Sequence, residues 1–385
     1  MQATPQEYYQ HLYPYDQLVA WLTARGVYAL ERFEFALEGE VYKRYVMAKS
    51  ATDLRRQVSS FPGITAFHVG GIYPDRCDRR SAPAQRIFSI DIDLTDYDFL
   101  KLKDADGNVS PALCDKAYPV AVFAIFVLRH LLERAFGYRQ IFACYSGRRG
   151  VHLHVLDPSA LALSNEARGA VATFMNASFT KGGNRISSAV RGLAKMYDLL
   201  KPAMVAFRRT VVGEMDLFGD SDQIFKFVER LELRHHTLAT LAEDAIEKDD
   251  GPAAWELIKE RVLSAGVAWF HERLHDTVLA YVWPRMDENV STSLGHLIKV
   301  PFCAHAKSRR VAVALNSKTY MNWCPSRAPS LDEWDQGVMD VALANFELPT
   351  SGADLEDVVA APAPAPRPPP RKIGFKRKQS PLVPN

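Results

Sequence analysis

Residues 86–98 read Arg86-Ile-Phe-Ser-Ile-Asp-Ile-Asp-Leu-Thr-Asp-Tyr-Asp98. The alternation over 87–94 predicts a strand, because successive side chains of an extended chain point to opposite faces. Phe88, Ile90 and Ile92 then enter a core, and Asp91 and Asp93 share the other surface. Two carboxylates held so close repel unless a cation lies between them, and hard oxygen ligands on a rigid strand suit Mg²⁺ or Mn²⁺. Taken alone, such a DxD run also fits an ordinary solvated strand face. A calcium loop over Asp91, Asp93, Asp96 and Asp98 is disfavoured, since Asp96 occupies the position where that loop needs glycine.

Further along, Ile141-Phe-Ala-Cys-Tyr-Ser-Gly-Arg-Arg-Gly-Val-His-Leu-His-Val-Leu156 reads as a hairpin whose glycines permit a tight turn and whose tip carries Arg148 and Arg149. Two guanidiniums on a rigid tip make a phosphate clamp, because each planar fork engages two oxygens; plain surface exposure is the alternative. His152 and His154 face one side of the returning strand, where a hydrolase metal pair is the rival reading. A third stretch, 281–313, places Asp287 ahead of Lys299, His305, Lys307, Arg309 and Arg310, offering one acid with several phosphate-binding donors or simply a solvated basic loop. His271-Glu-Arg-Leu-His275 satisfies a zinc-peptidase pattern, but it lies in an amphipathic helical run with no third-ligand motif after it.

Around these stretches the chain has 385 residues, 48% hydrophobic and 24% charged, enough for a buried core and inconsistent with a fibrous or wholly disordered chain. The net charge is only +2. After Asp357 there is no acid, while Arg367, Arg371, Lys372, Lys376, Arg377 and Lys378 follow, so the preceding residues carry the opposite sign. Six prolines between 362 and 370 mark residues 351–385 as a disordered Pro-rich basic tail, which reads as a nuclear localisation signal, a weak nucleic-acid tether or a solvated linker end. Five scattered cysteines suggest a reducing compartment rather than a disulfide framework. The N-terminus does not read as a secretory signal, and the apolar run 117–128 is shorter than the about 20 residues a bilayer needs, so a buried helix and no membrane association are expected.

Periodicity divides the rest. Residues 1–158 alternate a helix near 15–25 with strands near 27–37, 41–48, 64–73 and 87–94. Residues 159–282 show helical spacing, with Gly251-Pro252 opening one helix, and residues 283–350 return to short strands and loops. The expected fold class is mixed α/β (α+β), with an α/β domain from 1–158 and 283–350 and a helical subdomain inserted at 159–282.

In this order, Asp91-Ile-Asp93-Leu-Thr-Asp-Tyr-Asp98, Ser146-Gly-Arg-Arg-Gly-Val-His152, Pro284-Arg-Met-Asp287-Glu-Asn-Val-Ser291 and His296-Leu-Ile-Lys299-Val-Pro-Phe-Cys-Ala-His305 resemble the motifs of the catalytic small subunit of eukaryotic and archaeal DNA primase. The openings YYQHLYPYDQLVAWL and FEFALEGEVYKRY are also similar, and the resemblance covers most of residues 7–315. It implies a primase-type catalytic domain that makes short RNA primers on single-stranded DNA from NTPs. It further implies two divalent metals, Mg²⁺ or Mn²⁺, on Asp91, Asp93 and Asp287. The triphosphate would be held by Arg44, Ser146, Arg148, Arg149, His152, Lys299 and His305. An iron-sulfur large subunit, the DNA polymerase α complex and a nuclear location follow from the same likeness. A primase-polymerase for repair or bypass, or an inactive replication module, are the alternatives.

Three departures from the family stand out. Between 101 and 119 only Cys114 remains of the cysteine cluster many relatives carry, so no structural zinc is expected. The acid that contacts the incoming sugar appears as His68, and imidazole is not equivalent to a carboxylate accepting from 2′-OH and 3′-OH. The family's RExF order appears as Glu31-Arg32-Phe33, so neither Glu31 nor Arg32 is assigned a role.

Overall fold

The alternating run forms strand Phe88–Asp93 and pairs with the hairpin expected at 141–156. In chain order the strands are β1 Phe33–Glu38, β2 Tyr42–Val46, β3 Ala66–Ile72, β4 Phe88–Asp93, β5 Ile141–Tyr145, β6 Gly150–Val155, β7 Ile298–Lys299 and β8 Val313–Leu315. They build two antiparallel sheets, ordered β2-β1-β3-β7 and β4-β6-β5-β8, so the fold is mixed α/β as expected. This computed structural model describes residues 2–23, 28–104, 106–179, 186–233, 240–316, 323–334, 338–344 and 346. The tail at 351–385, the strand start at Val27 and the helix end at Arg25 lie outside the described residues.

In the second sheet Phe88 pairs with Val155, Ile90 with Leu153 and Ile92 with Val151, which makes one face continuously apolar and buried. Helix Pro111–Ala135 packs against β4 and β6. Ser110 caps it by accepting from the Leu113 amide, and Pro111 supplies the preset φ of a first helical turn. It is longer than the apolar run at 117–128, and by length and composition it would cross a bilayer; most of its apolar window is instead buried inside the protein. Helix Ala51–Ser59, capped by Ser50, was not anticipated, because its run of polar residues hides the Leu54 and Val58 that it buries.

The described residues between 165 and 282 are mostly helical, in Asn165–Met175, Ser188–Met196, Leu200–Phe207, Ser221–Leu231, Gly251–Ser264 and Ala268–Val282 among others. Asp250 caps the helix that Gly251-Pro252 opens. Phe207 centres an aromatic core here, 4.9 Å from Trp255 and 5.4 Å from Tyr281.

Tyrosines of the N-terminal segment reach the loop after β7. Tyr8 Oη donates to the Phe302 carbonyl and Tyr13 Oη to that of Pro301, each at 2.6 Å, while the Ala304 amide donates to Tyr9 Oη at 3.2 Å. Residues 301–304 are thus pinned between Lys299 and His305. Tyr8→Phe and Tyr13→Phe each strand one buried carbonyl and are expected to lower the unfolding free energy by about 1–3 kcal/mol. Urea unfolding of the single and double variants measures this, and an unmoved midpoint would refute the pinning.

Candidate active site

On the other face of the second sheet, directly opposed residues form polar rows. Asp93 faces Gly150, Asp91 faces His152, and Ser89 faces His154. A Cβ on Gly150 would lie 2.2 Å from the Ile92 carbonyl oxygen, so that glycine serves strand approach rather than the turn. Gly147 alone makes the left-handed turn, at φ +88°. Asp91 and Asp93 share a surface as the alternation predicts, and His152 Nε2 stands 3.4 Å from Asp91 Oδ1.

Asp287 joins them through the backbone. Its amide donates to the Asp91 carbonyl at 3.2 Å, and its carboxylate caps helix Glu288–Thr292 by accepting from the Asn289 amide at 3.0 Å. Ser291 Oγ donates to the Ser89 carbonyl at 2.9 Å, and Arg86 Nη1 donates to the carbonyls of Val290 and Ser293 at 2.9 and 3.1 Å. Arg86 is fully buried; loss of water, then the charge of Arg168, brings its pKa down to about 9. Sequence reading missed Arg86 and Ser291 as positioning residues, although Arg86 immediately precedes the diagnostic strand.

A cavity of about 270 Å³ opens beside these rows, and its lining includes Asp91, Asp93, Ser146, Arg148, Arg149, His152, Lys299 and His305. Asp287 and Arg44 are not among the lining residues. Arg44 is tied to buried Glu34, with Nε 2.8 Å from Oε1 and Nη2 3.2 Å from Oε2, and it also donates to the Gly295 carbonyl. Arg149 Nε reaches both oxygens of Asp93, at 2.8 and 2.9 Å, and Asp93 Oδ1 also accepts from the Thr95 amide and hydroxyl. Of the two arginines read as a clamp, then, one is occupied by a candidate metal ligand. Among the described residues, neither Arg148 nor Lys299 is paired with a carboxylate. Arg309 pairs with Asp332, and Arg310 donates to the carbonyls of Pro325, Ser326 and Ala328, so these two brace loops and do not add to the donor cluster.

Charge is unevenly distributed. Burial raises the Asp91 pKa, the negative charges of Asp93 and Asp287 raise it further, and His152 opposes them. Asp96 is raised by burial and by the same acids. Burial, then the cations Lys299, Arg148, Arg149 and Lys307, brings His305 down to about 4. Its Nδ1 accepts from the amides of Lys307 and Ser308 at 3.2 and 3.4 Å, which leaves the proton of the neutral ring on Nε2. His68 also lines the cavity and is brought to about 4 by burial and Lys299, its cross-strand partner. In the HExxH stretch, His271 Nε2 lies 3.1 Å from the Leu263 carbonyl and Glu272 pairs with Lys195 and Arg191, so its groups serve the packing of helices.

The family described as DNA primase small subunit matches residues 90–317. The DNA primase small subunit of Schizosaccharomyces pombe is 27% identical over 353 residues, covering 85% of this chain and 76% of its own length. That of Caenorhabditis elegans is 28% identical, with 84% of each chain covered. The DNA primase small subunit PriS of Pyrococcus horikoshii is 25% identical over 245 residues, 61% of this chain and 65% of its own. The chain belongs to the DNA primase small subunit family.

Two of the depressed histidines, His68 and His305, predict an acid sensitivity. In the unfolded chain they take up protons near the ordinary value of 6.5, whereas in the fold they do so only near 4. The unfolded state therefore binds more protons within that window, and stability falls as pH drops through it. Thermal unfolding across the window should show the decline, and His68→Gln or His305→Gln should each flatten it. An unchanged slope in both variants would disprove the attribution.

Proposed function

We propose that the chain carries out template-directed synthesis of short RNA primers on single-stranded DNA, joining a 3′-oxygen to the α-phosphorus of an NTP and releasing pyrophosphate. The observation that carries this reading is one cavity lined both by the carboxylates Asp91 and Asp93 and by the cations Arg148 and Lys299, which pair with no carboxylate among the described residues, with Asp287 bonded to the Asp91 backbone.

Asp91, Asp93 and Asp287 offer only oxygen donors, and a cation among them relieves the repulsion that raises Asp91, so the set fits Mg²⁺ or Mn²⁺. Two such ions, when bound, supply activation of the attacking oxygen and neutralisation of the departing pyrophosphate. Arg148, Lys299 and the Nε2–H of His305 bind triphosphate oxygens, with Ser146 and His152 alongside. Arg149 and Arg44 are already oriented by Asp93 and Glu34, and phosphate is the alternative partner for each planar fork. No side chain acts as a covalent nucleophile; the protein supplies charge and alignment.

In this reading residues 1–158 and 283–350 form the catalytic domain and residues 159–282 a helical subdomain. The name "small subunit" that the relatives carry supports a complex with other subunits, which we take to be the iron-sulfur large subunit and the DNA polymerase α complex. The basic residues of the tail support a nuclear location.

Purified protein, with and without the large subunit, is expected to make primers on poly-dT with ATP and Mg²⁺ or Mn²⁺. Asp91→Asn with Asp93→Asn should lower synthesis by at least about 100-fold without altering the circular dichroism spectrum. Lys299→Ala should raise KM for ATP more than it lowers kcat. Synthesis undiminished in the double variant would end the assignment. Substituting deoxyribonucleotides in the same assay separates primer synthesis from a primase-polymerase.

A further inference from the structure

Next to the candidate catalytic acids, the same sheet face holds side chains of different chemistry. Cys144 on β5 lies directly across from His152 on β6, and His154 follows two residues on, on the same face. One ligand atom from each of the three falls within 4.8 Å of the other two. Cys144 Sγ is 3.9 Å from His154 Nε2, and the other ring nitrogen of His154 is 2.9 Å from Ser89 Oγ. Asp91 Oδ1 stands 3.4 Å from His152 Nε2. Oxygen partners on both imidazoles are the arrangement that orients ligating histidines, fixing ring and tautomer while another nitrogen faces the ion.

We propose that Cys144, His152 and His154 form a soft-cation site that binds Zn²⁺, distinct in chemistry from the carboxylate set beside it. One thiolate with two imidazoles selects zinc or its surrogate cadmium, whereas Mg²⁺ and Mn²⁺ favour the oxygen donors of Asp91, Asp93 and Asp287. Binding replaces the thiol proton of Cys144, which leaves to solvent, and uses both rings in their neutral form. Burial holds His154 neutral and also pushes the Cys144 thiol up to about 12, so the ion must displace a firmly held proton. His152 and His154 line the 270 Å³ cavity, with buried Cys144 beside them but not in its lining, so the ion approaches from the nucleotide side and water completes its coordination. The consequence for activity rests on the nucleotidyl-transfer reading: zinc on His152 removes that ring from the nucleotide pocket, so zinc inhibits.

The test begins with metal alone. Titration of the full chain with Cd²⁺ is expected to give one equivalent bound, with a thiolate-to-cadmium charge-transfer band. Cys144→Ala and His154→Gln should weaken cadmium and zinc binding by at least about tenfold. Asp93→Asn with Asp287→Asn should retain the band, since it spares all three ligands. Should the Cys144 variant not fold, X-ray absorption of the zinc-loaded natural chain decides, with one sulfur at about 2.3 Å and nitrogen at about 2.0 Å expected. A shell of oxygen and nitrogen only, no stoichiometric binding, or a band persisting in folded Cys144→Ala would overturn the site. Zinc should then inhibit primer synthesis by the natural chain at a concentration at least tenfold below that needed for Cys144→Ala. A chain that binds zinc but makes no primers in the zinc-free assay would sink the nucleotidyl-transfer reading and leave the site standing; primers made by a chain that binds no zinc would do the reverse.

Discussion

The site depends on one seam, where the segment after Asp287 is bonded edge-on to β4. The Asp287 amide on the Asp91 carbonyl, Ser291 Oγ on the Ser89 carbonyl and the buried Arg86 guanidinium on the carbonyls of Val290 and Ser293 bring two distant parts of the chain together. Through Nη1 the Arg86 guanidinium bonds both carbonyls, while its buried Nε and Nη2 have no partner among the described residues, a desolvation cost that those two bonds only partly offset. Its own carbonyl in turn accepts from Arg168 at 2.5 Å. A second buried cation therefore stabilises the start of the diagnostic strand. Acids held by main-chain bonds keep their spacing despite repulsion, which is the condition for a cation site to exist before the cation arrives.

Around that seam the protein stores its charges in pairs. Arg149 rests on Asp93, Arg44 on Glu34, and His152 beside Asp91. Each pair presets the direction of a fork or ring. Arg148 and Lys299 have no carboxylate partner among the described residues, and burial first, then these two with Arg149 and Lys307, keeps His305 neutral and able to donate. The tyrosine bonds to residues 301–304 extend the same logic to the segment between Lys299 and His305, so the N-terminal segment contributes to the pocket without lining it.

Much of this was legible from residue order. Period-two alternation located β4, β5 and β6 within a residue or two, because a sheet with one apolar face leaves no freedom of register. The helix Ala51–Ser59 escaped notice, although Ser50 as a cap and Leu54 and Val58 four apart were available signals. Arg309 and Arg310 were counted among the phosphate donors because charge is visible in a sequence and the carbonyls that consume it are not. Arg44 shows the same limit: its ion pair with Glu34 links neighbouring strands of the first sheet.

What the sequence by itself determined is the chemistry on offer and its faces: acids at Asp91 and Asp93 on one side of a strand, guanidiniums on a glycine turn, the family that these motifs mark, and the mixed α/β class. Which groups meet was decided only by the tertiary structure. Asp287 reaches Asp91 and Tyr13 reaches Pro301 through contacts between segments far apart in the chain, and local periodicity carries no term for them. The physical reason is that alternation reports only which side of a strand is buried, while the identity of the neighbour follows from sheet order, register and the seam that Arg86 and Ser291 close.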